Sequence, residues 1–431
     1  MPRIRRPILA LASAALLGLA FSPGARAAEQ VLTFRSAPIT IRPYLTVEGV
    51  QRVESPRVDG YVVGMKATVV DAQGHELGDQ DVMLHHVVFA NAFHRDMLCS
   101  TYTGFTGERL SYAPERFFGV GEERSELSLP AGYGYPNASG DVWGIAYMLM
   151  NHHARARTAY VQYTVRYVTA KKLTPVRPLW LDVRNCRADP IWDAPGTGGK
   201  GSTYIRSGDV VMPVSGRIVA AGGHLHGGGI SLNLSNVTCG ASLFTSWPSW
   251  GREEPTPLLH EGGPTQMSSF QSEEGIPVAA GDTLRLTATY DDSLPHTRVM
   301  GIMLAYLAPG PVADCAPVPQ LRLDLGQPGP PPLAPMPLPR APKGPLRTVA
   351  STWVGDYQFA HERVSIRRGT TFTWRFAGPS AHNVTLASGP VGFSSPTMTG
   401  GRFSHRFTRP GVYRLYCSLH PVAMVQAVFV H

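Results

Sequence analysis

Near the end of the chain a thiol, an imidazole and a thioether stand close together: Cys417, His420 and Met424. A second imidazole, His382, lies 35 residues before the cysteine, at the start of an apolar stretch. One thiolate and two imidazoles in a plane, with a weak axial thioether, are the donor set of a blue-copper centre. A tight loop between two strands delivers Cys417, His420 and Met424 together, while a separate strand supplies His382. Such a set leaves no position open to water, so its chemistry is one-electron transfer.

Three further clusters of metal-ligating type lie upstream. Asp81 to Ala90 contains the adjacent pair His85 and His86. Neighbouring side chains of a regular strand point to opposite faces. Both rings can therefore share one metal only if the strand bulges or the rings offer different nitrogens. Tyr147 to His153 contains Met148, Met150, His152 and His153, and Ala221 to Gly229 contains His224 and His226. Alternation places His224 and His226 on one face, and the flanking glycines let a backbone or a substrate come close. Reduced copper accepts imidazole and thioether donors. His75, His94, His260, His296, His361, His405 and His431 lack partners at ligand spacing and read as surface or turn residues.

The elements that must position these residues are strands. Val161–Tyr167, Tyr61–Val69 and Leu284–Tyr290 each alternate apolar and polar residues, as half-buried strands do. No long 3.6-residue pattern occurs. With 45 Gly, 38 Pro and 16% charged residues in 431, the composition favours short strands and many turns, an all-β protein of antiparallel sandwiches. Nine of the residues 328–345 are Pro, which makes a stiff, extended linker. The expected division is 28–185 and 186–315 as two tandem sandwiches, 316–347 as linker and 348–431 as a third.

Residues 1–27 read as a cleavable secretory signal: Arg3, Arg5 and Arg6, an apolar run from Ile8 to Phe21, then Ala25 and Ala27 around Arg26. That run is shorter than the roughly 20 residues a spanning helix needs, and no later stretch offers a membrane span. The segment carries four of the arginines behind the net charge of +8. The processed chain is therefore close to neutral, which gives no case for nucleic-acid binding. A secreted or periplasmic location permits disulfides. Cys99, Cys186, Cys239 and Cys315 allow three pairings, and Cys417 is left for metal.

From Asp356 onward the chain resembles the cupredoxins of the plastocyanin and amicyanin group, carried by Cys417, His420, Met424 and the upstream His382. The resemblance implies a Greek-key β-sandwich with a type 1 copper. Between Val31 and Pro311 the order His-His, later His, His-x-His and Met is similar to the copper type II, ascorbate-dependent monooxygenases. That resemblance implies two jelly-roll-like sandwiches. His85, His86 and His152 would hold an electron-transfer copper. His224, His226 and Met300, with Met303 as the alternative, would hold the copper that meets dioxygen. It further implies ascorbate or another one-electron reductant, an external electron donor, and hydroxylation of a C–H bond in a small molecule or peptide. Gly222, Ile302 and Leu304 stand where the peptide-amidating members have Arg, Asn and Tyr, which argues against a glycine-extended peptide. The rival reading is a non-enzymatic copper-binding or electron-transfer protein on the same scaffold.

Overall fold

The strand Arg157–Val168 shows how the alternating sequence is used. Ala159, Val161, Tyr163, Val165 and Tyr167 are fully buried, while the residues between them stay partly open to solvent. The computed structural model describes residues 29–42, 46–79, 81–104, 109–151, 155–169, 172–250, 262–293, 296–323, 342–355, 357–378, 380–420 and 423–431. Among them every regular element is a strand, and no helix is long and apolar enough to cross a membrane. The expected signal segment, His152, and residues 324–341 of the Pro-rich stretch lie outside the described residues.

Two sheets make the first unit. One orders Gln30–Arg35, Arg157–Val168, Gly60–Val70 and Tyr133–Asn137; the other orders Thr46–Val53, Trp143–Asn151, Val82–Arg95 and Pro114–Gly121. Phe89, Phe117, Trp143, Tyr135 and Tyr163 fill the space between them. The second unit pairs a sheet of Arg177–Asp182, Gly301–Pro309, Gly216–Leu225 and Ser269–Val278 with one of Thr203–Val211, Thr283–Asp291, Gly229–Asn236 and Ala241–Ser246. The expected start of this unit at residue 186 gives way to an earlier one. Arg177–Asp182 is already an edge strand of its first sheet, with Arg177 opposite Leu307.

The two units share a packed seam. Val219, Ala220, Tyr306 and Ala308 of the second unit join the core of the first, and the Tyr306 hydroxyl donates to the Phe117 carbonyl at 2.8 Å. Cys99 pairs with Cys186 and Cys239 with Cys315, across separations of 87 and 76 residues. Closing loops of that length restricts the unfolded chain by about 4–5 kcal/mol each in the chain-entropy picture. Cys417 alone remains a buried thiol.

Residues 346–430 form the third sandwich. One sheet orders Leu346–Arg347, Arg363–Ile366, Val425–Val430, Gly411–Tyr416 and Thr385–Ser388; the other orders Gln358–Phe359, Ser351–Gly355, Thr371–Phe376 and Gly401–Arg406. Trp374, Phe372, Phe407 and Tyr413 form its centre. Gly411–Tyr416 and Val425–Val430 are antiparallel neighbours, so the turn joining them carries the Cys417–Met424 segment to the sandwich's end.

Candidate metal centres

In the third sandwich His382, Cys417 and His420 converge, each offering one donor atom within 4.8 Å of the others. His382 Nδ1 lies 3.1 Å from His420 Nδ1, and Cys417 Sγ lies 3.6 Å from the same His420 atom. Metal–ligand bonds of about 2.0–2.3 Å from these atoms meet at a common point, so the donor set fits one ion. The loop is built for it. His420 N–H donates to the Cys417 carbonyl, and Cys417 N–H donates to that of Met424. Met424 is fully buried in the same core as the cysteine.

Asn383, next to the distant histidine, ties that segment to this loop. Its N–H reaches Cys417 Sγ at 3.4 Å, its Nδ2 donates to Ser418 Oγ at 2.7 Å, and its Oδ1 accepts from Ser418 N–H at 2.8 Å. Burial and the neighbouring His382 push His420 down to about 4, which keeps its ring neutral. Burial pushes the Cys417 thiol up to about 11. A metal bound here would have to displace the thiol proton to take a thiolate ligand. Tyr357 covers the histidines, its ring 4.8 Å from that of His420 and 5.8 Å from that of His382.

In the first sandwich the strand bulges at the histidine pair. Leu84 pairs with Leu149 and His86 with Met148, so His85 is the extra residue. A bulge re-aims a side chain that would otherwise point to the opposite face. Here it brings His85 Nδ1 to 3.2 Å from His86 Nδ1. The second sandwich supplies its own pair by ordinary alternation, with His224 Nε2 3.0 Å from His226 Nε2. Both spacings suit two imidazoles sharing one ion at about 2.0–2.1 Å. The two pairs face each other across the seam, with the His85 and His226 rings 4.4 Å apart.

Three buried groups fix this arrangement. Glu123 Oε2 lies 3.0 Å from His224 Nδ1, and its Oε1 accepts the Gly121 N–H at 2.9 Å. A carboxylate on one ring nitrogen orients a histidine and leaves the other nitrogen for metal. Burial works against the charged ring of His224, but the charge of Glu123 and its hydrogen bond outweigh it, so the pKa of His224 stands above its usual value. Burial, with the positive charges of His224 and Arg298, pushes His86 down to about 3. Tyr290 Oη accepts the His226 N–H at 2.8 Å and donates to the Met300 carbonyl at 2.6 Å, tying the two segments together. Gly121 has no room for a side chain, because a Cβ there would run into the His224 ring and Glu123.

His86, His224 and Met300 also line a cavity of about 430 Å³ between the first two sandwiches. Met303, the alternative ligand, is fully buried in the core of the second sandwich instead. Gly222, Ile302 and Leu304 all face this cavity. His296 is buried beside Asp291 and Gly228 rather than at the surface, and His405 stacks on Phe393 with ring centres 3.9 Å apart. Glu123 and Tyr290 carry no motif in the sequence. Glu123 meets His224 across 101 positions, and only the folded register brings them together.

Glu123→Gln keeps the shape and removes the charge that holds the Nδ1 proton of His224. Copper affinity at the His224/His226 pair should fall about 10- to 100-fold, read by competition with a chelator of known affinity, with the Cys417 centre unaffected.

Comparisons with known proteins give two family matches, the first running from the end of the first sandwich through the second. Residues 148–309 match the family model described as stress up-regulated Nod 19, and residues 348–431 match that of copper binding proteins of the plastocyanin/azurin family. "Probable copper-dependent oxygenase clz3" of Cochliobolus lunatus is 27% identical over 248 residues, 54% of this chain and 74% of that protein. "Probable copper-dependent oxygenase M1" of a Phoma species is 28% identical over 284 residues, 61% of this chain and 68% of that protein. Among solved structures, a purple cupredoxin from Nitrosopumilus maritimus is 33% identical; the match covers 19% of this chain and all of that one, with a TM-score of 0.18. The chain thus joins a segment similar to proteins named probable copper-dependent oxygenases to a C-terminal segment that matches the plastocyanin/azurin family of copper binding proteins.

Proposed function

We propose that the chain is an exported, ascorbate-type copper monooxygenase that hydroxylates a C–H bond with dioxygen, its fused type 1 copper domain relaying electrons. The observation that carries this reading is the meeting of four histidines from two sandwiches, with His86, His224 and Met300 in the wall of a cavity. Copper held by these residues would supply single-electron steps and the activation of dioxygen. One oxygen atom enters the C–H bond and the other leaves as water, with two electrons and two protons drawn from the reductant. Glu123 keeps the His224 proton on Nδ1, and Tyr290 holds the His226 and Met300 backbones in register.

Support for the relay comes from a two-stranded ribbon, Trp192–Ala194 with His296–Val299. Its Arg298 is anchored by Glu48 at 2.8 Å and Asp189 at 3.7 Å, and its charge acts on both His86 and Cys417. Just past the ribbon, Gly392 of the third sandwich packs so closely on Gly196 that no side chain fits.

Metal analysis of the purified protein should give three coppers per chain, one intensely blue. Oxygen uptake in the presence of ascorbate should rise with a hydroxylatable substrate. A single blue copper that is unchanged by His224→Ala would overturn the enzyme reading in favour of a carrier.

A further inference from the structure

The cavity between the first two sandwiches also constrains what enters it. Its walls include Phe118, Trp180, Met267, Phe270, Ile302 and Leu304. Its volume of about 430 Å³ falls within the roughly 300–1,000 Å³ of sites that enclose a small organic ligand. The charged groups among its described lining residues are committed elsewhere. Arg124 gives Nη1 to Thr68 Oγ1 at 2.7 Å and to Glu76 at 2.8 Å, and Nη2 to Asp79 at 3.2 Å. Glu123 spends one oxygen on His224 and the other on the Gly121 N–H. Glu126 is exposed to solvent.

We infer that the substrate is a neutral, largely apolar small organic molecule, seated with a C–H bond toward His86, His224 and Met300. The inference rests on the monooxygenase reading and adds the substrate class to it. The charges that sit inside the cavity, on Glu123, Arg124 and His224, are engaged by one another or by other protein groups, so in the copper-free chain a carboxylate would enter without a new counter-ion. Transfer of an unpaired charge into apolar walls costs several kcal/mol, whereas an apolar body gains by leaving water. Gly222 sharpens the point. A Cβ there would meet only Ser269 at an ordinary 3.6 Å, so the first carbon of a side chain is accommodated, and an arginine would bring its own charge to the cavity.

The test measures binding by the full chain, copper-free and copper-loaded, by calorimetry and by quenching of tryptophan fluorescence, since Trp180 lines the cavity. The probes are undecan-2-one, its anionic counterpart undecanoate, and N-acetylphenylalanylglycine. The ketone should bind the copper-free chain at least about tenfold more tightly than either anion, and Gly222→Arg should reverse that order; a bound copper ion would itself attract an anion, so the loaded form is read for ketone binding alone. Equal or tighter binding of either anion by the unaltered copper-free protein, or no binding of the ketone, overturns the substrate class. Tight ketone binding with no ascorbate-dependent oxygen uptake would leave the pocket assignment standing and defeat the oxygenase reading instead.

Discussion

Copper-loaded Cys417→Ser is expected to lack the intense visible absorption that a type 1 centre at Cys417 would give, while keeping any copper in the first two sandwiches. A blue centre owes its colour and its redox poise to the soft thiolate bond, and no other free cysteine is available to replace it. Serine is isosteric enough to keep the fold, because the buried oxygen inherits the Asn383 N–H that now reaches the sulfur. Titration adds a proton count. With the thiol pushed up to about 11 and His420 pushed down to about 4, the metal-free site enters neutral solution with a protonated sulfur and a neutral His420. Copper binding between pH 5 and 8 should therefore release one proton from the thiol, and affinity should rise about tenfold per pH unit across that window. In Cys417→Ser the released proton disappears with the colour. Retention of the band, or proton release unchanged in the variant, would show that Cys417 is not the ligand.

The convergence of His382, Cys417 and His420 was partly legible because Cys417 and His420 share one turn, whereas His382 lies just ahead of the strand Thr385–Ser388 and is held by a bridge to Met398. Alternation likewise marked the strands around Val161, Tyr61 and Leu284, each of which is a regular sheet element. The His85/His86 pair posed a question in sequence that the fold answers with a bulge opposite Met148 and Leu149; nothing local encodes the extra residue. Strand Arg177–Asp182 was assigned to the wrong unit because its pairing partner, Gly301–Pro309, lies more than a hundred residues downstream. Glu123 escaped notice for the same reason, being a carboxylate in an unremarkable turn until the second sandwich folds onto the first. The cysteines gave three pairings, and only tertiary proximity selects Cys99–Cys186 and Cys239–Cys315.

Long-range proximity also makes His226→Ala the most informative substitution in the first two sandwiches. The sequence presents two ligand sets in separate segments, whereas the fold places the His226 ring 4.4 Å from His85 and its Nε2 3.0 Å from His224. Truncation leaves His224 without its partner nitrogen, so one copper per chain should be lost. Under the proposed function, hydroxylation should fall about a thousandfold or more, since a bound metal would contribute several kcal/mol to such a step. The sharper readout is the copper left behind. Because His226 adjoins His85, the paramagnetic resonance of copper at the His85/His86 pair should change in line shape, although none of the ligands proposed for it has been touched. His226→Gln, which preserves bulk at this mostly buried position, separates loss of the ligand from loss of packing: both variants should lose the metal and the activity, and the glutamine protein should keep the melting temperature. An unaltered resonance in both would establish that the two pairs work as independent sites, and unaltered turnover would remove His226 from the chemistry.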